Sequence, residues 1–363
     1  MIIVDFLYVA SVRYPDRACI SGDSGSLTFP EASTRADRLA AALAGAGLQH
    51  GDRSAMLAEN EMQFFEAQSA AMRTGFVFVP LNYRLNREEL AFPIANAEPK
   101  VLIVGQGFSN TAALLDVPIK WHLDDDQQPS YEAVLASADP STTGYVANST
   151  DPCVIHYTSG TTGHPKGVVI SNGALAMRLH TYAFESGIRP GDVLLQPMAQ
   201  FHVGSHVSQS FANCGNSVVF LRRFDPSDVL RAIEEYRCTH VSLAPTMMVI
   251  NDPTLADRDI SSLRLVNYGA SSIAPTILRQ AMERLGCGFR QSYGMTETGP
   301  AATLEAALHD AEDVRVLGSE GRSVCRRSSD CSTTREPRSR SERPVRSSRS
   351  LRATWKATSA SRS

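Results

Sequence analysis

No apolar run in the 363-residue chain approaches the ~20 residues that a membrane-spanning helix requires; the best, Gly75 to Leu81, is far too short. The opening MIIVDFLYVA is apolar, but it carries Asp5 and no basic residue precedes it, which argues against a signal peptide. The seven cysteines (Cys19, Cys153, Cys214, Cys238, Cys287, Cys325 and Cys331) include no C-x-x-C pair and follow no regular spacing. In a chain this long, such a set is expected to remain as thiols in a cytoplasmic protein, not to form a disulfide framework. Disorder throughout is excluded by 43% hydrophobic against 20% charged residues. The length exceeds one domain of ~100–200 residues.

The formal charge of −3 conceals an asymmetry. From Ser323 to Ser363, ten arginines and one lysine face three carboxylates, a local +8 that leaves −11 on residues 1–322. Twelve serines and almost no large aliphatic side chains complete that segment. It has too little apolar surface to offset its ordering entropy, so 323–363 reads as a disordered tail beside a folded unit, 1–322. Arginine-rich disorder suits phosphate contacts, which keeps an RNA-binding adaptor among the readings. With Trp355 the tail's one aromatic residue, that reading ranks last, and no nucleic-acid partner is expected.

Through residue 322, strand-like and helix-like stretches alternate. Apolar spacing predicts helices near 35–46, 61–73, 172–185, 226–236 and 275–285. Short β-rich runs fall near 53–58, 76–80, 101–105, 153–157, 193–196, 217–221, 239–243 and 264–268. This alternation implies an α/β fold of βαβ units on largely parallel, buried sheets. The polar stretch from Asp124 to Thr150 reads as a link between two α/β halves.

The most informative segment is Tyr157 to Gly167, YTSGTTGHPKG, set between two apolar strands. Hydroxyls, glycines and one lysine form a phosphate cradle, because backbone N–H groups and a cation converge on anionic oxygens. It is not a Walker loop, since Pro165 stands where glycine should precede the lysine. The segment resembles the phosphate-binding signature of the adenylate-forming superfamily, the AMP-dependent synthetases and ligases, and within it the acyl-CoA synthetases. Further stretches are similar to that family's motifs and follow its order. Pro197 to His202 resembles the P-x-x-H segment of acyl- and aryl-CoA ligases. Tyr268-Gly269-Ala270-Ser271 resembles the loop on adenine and the acyl carboxylate. QSYGMTE, Gln291 to Glu297, matches the Y-G-x-T-E signature, and Gly318 to Arg322 resembles a downstream G-x-x-G-R stretch.

The resemblance implies two doubly wound subdomains, followed by a β-rich third portion that is incomplete here. It implies an AMP-forming acid–CoA ligase that uses ATP, Mg²⁺ and coenzyme A to convert a hydrophobic carboxylic acid to acyl-adenylate and then acyl-CoA. Thr158, Ser159, Gly160, Thr161, Thr162, Gly163 and Lys166 would grip the phosphates. Gly269, Ala270, Ser271, Tyr293, Gly294, Met295 and Thr296 would hold the rest of the nucleotide, with Tyr293 against adenine. Glu297 would supply a hard oxygen for Mg²⁺, with Thr158 beside the metal. His202 and Gly269 would line the acyl pocket. His202 and His206 have i, i+4 spacing, but Gly204 between them and the want of a third ligand argue against a metal pair. Met247 and Met248 read as core filler. Homodimerisation stays open.

After Arg322 the family's ribose-binding aspartate, hinge and small-domain lysine find no match, and Lys356 lacks the pattern around such a lysine, so no catalytic residue is assigned. Back-translated with synonymous codons and read one frame on, Val324 to Ser348 yields VPAVERLLDDAGTEVPVGEAGEIV as one allowed solution. That peptide resembles the family's own continuation, so the tail is expected to be a frame-shift product and the chain a truncated ligase that forms acyl-adenylate poorly or not at all and makes no acyl-CoA. The alternative is a non-catalytic nucleotide- or acyl-binding remnant.

Overall fold

A computed structural model describes residues 5–22, 25–124, 126–140, 148–158, 165–309 and 313–324. The chain opens with α1 (Phe6–Arg13), the hairpin strands β1 (Ala18–Gly22) and β2 (Gly25–Thr28), and α2 (Phe29–Gly45). There follow β3 (Arg53–Leu57), α3 (Gln63–Thr74), β4 (Val77–Leu81), α4 (Arg87–Ala97), β5 (Val101–Val104), α5 (Ser109–Ala113), β6 (Ile119–His122) and α6 (Tyr131–Ser137). The phosphate-loop segment lies between β7 (Pro152–Thr158) and β8 (Lys166–Ser171), and β8 runs directly into α7 (Asn172–Glu185). Next come β9 (Val193–Gln196), α8 (Gly204–Asn213), β10 (Ser217–Phe220), α9 (Pro226–Glu235) and β11 (His240–Leu243). Short 3₁₀ turns lead to β12 (Leu265–Gly269), α10 (Pro275–Leu285), β13 (Gly288–Met295), β14 (Gly299–Leu304), α11 (Val314–Leu317) and β15 (Arg322–Ser323).

Two mostly parallel sheets result, so the fold is α/β as the alternation implies. One runs β6-β5-β3-β4-β7-β8 and the other β15-β14-β13-β12-β11-β9-β10-β1-β2. Strand alternation sorts the apolar side chains into three cores. Leu194, Val218 and Phe220 share the layer between the sheets with Met56, Phe78 and Ile103, packed on α2, α3 and α8. The opposite sides of the same strands, Leu195 and Val219, face α9 and α10 in a second core. Ala55, Leu57, Leu102 and Val104 turn outward to α4 in a third. The stack is therefore helix, sheet, helix, sheet, helix, with both sheets covered on both faces, as parallel strands demand.

The two halves are not successive in sequence. β7 and β8 follow the polar stretch at 124–150 yet return to the first sheet, where Val154 pairs with Phe78 of β4. Conversely, β1 joins the second sheet, pairing Ile20 with Val218 of β10. The link thus joins strands of one sheet, and the crossing to the second sheet comes after α7.

Local chemistry explains the helix starts. α2 begins six residues before the expected Arg35 because Thr28 caps it: the side chain accepts from the Glu31 amide while Glu31 reaches back to the Thr28 amide. Asn86 and Glu89 form the same reciprocal pair at α4, a helix not expected from the sequence. Among the described residues no helix is long and apolar enough to cross a membrane. The five cysteines described are free thiols, as expected.

Candidate active site

Beside β9 the second sheet reverses its strand order, with β10 on one side and β11 on the other. The connections after β9 and β11 diverge there, leaving a crevice at the carboxyl ends of the strands, where open α/β sheets take ligands. A cavity of about 300 Å³ occupies that position. The ends of β11, β12 and β13 form one wall, and Arg178 and Tyr182 of α7 and His206 and Val207 of α8 face them.

Several residues singled out in the sequence meet on this wall: Gly269, Ala270, Gly294, Met295 and Thr296. Ser271 and Tyr293 are exposed beside them, and Tyr293 is 40% exposed. Glu297 is exposed in the turn that follows β13. Arg178, almost wholly buried, donates from Nη2 to the Glu297 carbonyl at 3.2 Å, tying α7 to this turn. Thr158 and Lys166 face each other across the β7–β8 ladder and form the stem of the phosphate loop. Ser159, Gly160, Thr161, Thr162 and Gly163 lie outside the described residues. The Lys166 side chain is exposed. Because β8 leads straight into α7, the loop stem and the cavity are held by one continuous segment.

Two backbone features mark the β12 end. Ala270 has φ +68°, a left-handed conformation costing roughly 1–2 kcal/mol for a residue with a side chain. Such local strain concentrates at binding sites. Gly269 lies so close to β13 that an added Cβ would sit 2.5 Å from the Ser292 carbonyl oxygen. Gly269→Ala should therefore push β12 and β13 apart and destabilise the protein by roughly 1–3 kcal/mol, the usual cost of overpacking. A melting temperature equal to the parent's would contradict this close approach.

His206, not His202, stands on the cavity wall. His202 is exposed, with its ring centroid 4.2 Å from that of Phe201. It precedes α8, whereas His206 is the third residue of that helix and is buried. Met247 and Met248 pack against the outer core and are not on the wall.

His206 is paired with His156 of β7, Nε2 to Nε2, at 3.3 Å. His156 Nδ1 lies 3.0 Å from the Phe201 carbonyl, an acceptor only, so Nδ1 carries the proton. A neutral His156 then offers its Nε2 lone pair, and His206 must donate from Nε2. Burial pushes His156 down to about 3, with the Phe201 carbonyl opposing. Burial, followed by His156 and Arg178, holds His206 well below the ordinary imidazole value. Both rings are therefore neutral near pH 7, and His206 keeps an unprotonated Nδ1.

The sequence reading missed the polar residues of the deeper wall. Ser242 and Asn267 interrupt the apolar strands HVSL and LVNYG and are register partners in neighbouring strands. A polar residue at a core position of a buried strand was the available signal.

Comparison with known proteins agrees with this architecture. The model of the family described as AMP-binding enzyme matches residues 7–328, and the chain belongs to that family. It is 32% identical over 334 residues to a feruloyl-CoA synthase of Amycolatopsis sp, covering 85% of this chain and 65% of the relative. It is 33% identical over 328 residues to an indoleacetate–CoA ligase of Aromatoleum aromaticum, covering 86% and 61%. Among solved structures, the amide bond synthetase McbA from Marinactinospora thermotolerans superposes with a TM-score of 0.79 at 29% identity, over 88% of this chain and 65% of that one. The N-terminal domain of FACL13 from Mycobacterium tuberculosis gives 0.80 at 25% identity, over 89% and 82%. The chain thus spans less than two thirds of the length of these curated relatives.

Proposed function

We propose that this chain is the large domain of an AMP-forming acid–CoA ligase that activates a hydrophobic carboxylic acid in a reducing, cytoplasmic setting. The observation that carries the reading is the cavity itself. Gly269 and Ala270 share one wall with Gly294, Met295 and Thr296, so the acid and nucleotide segments border one space. In the first step a carboxylate oxygen attacks the α-phosphorus of ATP, the α–β bridging bond breaks, and pyrophosphate leaves. A coenzyme A thiolate then attacks the acyl carbon and AMP departs. Charge grows on phosphate oxygens in the first step, so donors and cations preorganised there lower the barrier. Lys166, Thr158 and the intervening loop would supply them.

Mg²⁺ suits the donors present. This ion commonly takes one or two carboxylates, with substrate phosphates and water completing its shell. Glu297 offers one exposed carboxylate, on a turn braced by Arg178. Mg²⁺ would neutralise phosphate charge, and Glu297 would hold it at the nucleotide end of the cavity.

Calorimetric titration with ATP and Mg²⁺ tests the reading. Lys166→Ala should weaken binding by roughly 10- to 100-fold, matching the ~1.5–3 kcal/mol of a hydrogen bond to a charged group. An unchanged affinity would return Lys166 to the role of a solvated surface charge.

A further inference from the structure

The turn between β13 and β14 carries Thr296 and Glu297 at the end of a two-stranded ladder. Inside it, the Met295 amide donates to Thr298 Oγ1 at 3.2 Å and the Thr298 amide to the Met295 carbonyl at 3.1 Å. These bonds close the turn upon itself. Arg178 of α7 ties it to the rest of the site at two points. Nη2 donates to the Glu297 carbonyl at 3.2 Å, and the aliphatic stem lies over Gly299, where an added Cβ would fall 2.8 Å from Cγ and 3.1 Å from Cδ. Gly299 also has φ +66°, so both its conformation and the stem above it call for glycine. Arg178 is only 7% exposed, and little water reaches the bond to compete with it.

The phosphate loop lies at the other end of the same segment. β8 opens with Lys166 and leads without a break into α7, so the loop stem and Arg178 move together. The Glu297 side chain is exposed, and its reach toward an ion is set by its backbone, the part that Arg178 holds. Mg²⁺ takes its ligands at about 2.0–2.1 Å in near-octahedral geometry. Where groups must meet this closely, a misplacement of ~1 Å can cost ~100-fold. A guanidinium has donors alone and cannot ligate the ion, so any influence of Arg178 on the metal passes through the turn.

We infer that Arg178 is a positioning residue: it fixes the turn bearing the Glu297 carboxylate relative to the phosphate loop, so that one Mg²⁺ can touch both the carboxylate and the phosphates. The inference rests on the acid-activating reading above, in which Glu297 holds the ion. Arg178 lies outside every motif that stands out in the sequence, and Gly299 is the partner that makes room for its stem. The coupling has a definite signature. Loss of Arg178 weakens nucleotide binding only when the metal is present, whereas loss of a merely structural residue lowers affinity in both conditions.

The test uses the 363-residue protein in calorimetric titrations with ATP, once with Mg²⁺ and once with EDTA in its place. For the parent, Mg²⁺ should tighten binding by roughly tenfold or more, the scale of one bond to a charged group. In Arg178→Met that gain should fall to about twofold or less, while affinity in EDTA stays within about twofold of the parent's. Arg178→Lys, which can still donate to the carbonyl, should recover part of the gain. In a Glu297→Gln background Arg178→Met should change nothing further, because both substitutions act on one contact. Gly299→Ala keeps the guanidinium but crowds its stem; it should lower the gain as well, and it carries the test should Arg178→Met fail to fold. An undiminished gain in these variants, or an equal loss with and without the metal, would overturn the inference while leaving nucleotide binding standing. A parent that binds ATP no better with Mg²⁺ than with EDTA would overturn both the inference and the reading on which it rests.

Discussion

Lowering the pH from 7.5 to 5 should remove about 4 kcal/mol of folding stability through the buried His156 and His240, at about 2 kcal/mol each, with His206 adding in the same direction. His156 and His206 are fully enclosed, with His156 pushed down to about 3 and His206 well below its ordinary value. His240 is pushed down to about 4 by burial, with the Asp192 carboxylate opposing. The sign follows from proton counting. In the unfolded chain each imidazole binds a proton near pH 6.5, whereas in the native state it stays neutral. Stability is therefore full above about pH 6.5 and falls with pH through the window down to the folded values. Glu61 and Glu66, raised by burial, act oppositely and offset part of the loss at the acid end. A loss of about 4 kcal/mol is a large part of the whole stability of many domains, so acid unfolding should be evident in urea midpoints. Replacing His156 and His206 together with leucine should flatten more than half of the dependence. A midpoint constant between pH 7.5 and 5 would show that these rings are solvated.

The acid sensitivity has a functional counterpart. The neutral pair supplies the cavity with a lone pair at His206 Nδ1, and protonation there would convert the acceptor to a donor beside the Arg178 cation. One arrangement thus sets both the stability window and the chemistry of the wall.

Periodicity and punctuation in the sequence were enough to place most strands of the first sheet, the four strands β9 to β12 of the second and the helices α3, α7, α9 and α10, because each carries an apolar stripe or run. What escaped did so for identifiable reasons. α8 reads GSHVSQSFAN, too polar for an apolar stripe, yet it is buried nearly throughout, with the Ser205 and Ser210 hydroxyls donating to the carbonyls of His202 and His206. The β1–β2 hairpin is short and completes a sheet whose other strands lie nearly 200 residues on, a pairing that local pattern cannot reveal. At the site, the segments that meet on the cavity wall, Gly269-Ala270 and Gly294 to Thr296, stood out in the sequence because such glycine-containing stretches are short and local. Ser242, Asn267 and His206 did not, since they meet at the wall only when β11, β12 and α8 converge. His202 and His206 show the limit: four residues apart, one lies before α8 and is exposed, the other lies in its first turn and is buried.

Arg35→Met should cost roughly 3–5 kcal/mol, far more than the loss of an exposed ion pair, because it strands a carboxylate in the central core. Glu66 on α3 is completely buried and accepts from Arg35 Nε at 2.6 Å and from the Tyr131 hydroxyl at 2.6 Å. The same guanidinium reaches Glu132 of α6, Nη1 to Oε2 at 2.8 Å, so one cation joins α2, α3 and α6. Burial raises the Glu66 carboxyl against the pull of Arg35 and Tyr131. Removing Arg35 deletes the main opposing influence, and Glu66 must then take up a proton or stay charged without its cation. Two consequences separate this from simple loss of packing. The double variant Arg35→Met/Glu66→Leu should recover most of the stability, as buried pairs replaced by apolar groups often do. The cost of Arg35→Met alone, measured against the parent at each pH, should shrink as pH falls, because protonation neutralises the stranded group while the histidine contributions cancel. Urea unfolding of the four members of this cycle at pH 8 and pH 6 decides the matter. A single-variant cost under about 1 kcal/mol, or one independent of pH, would mean that water reaches Glu66 and that the bridge between the three helices is held by their apolar contacts alone.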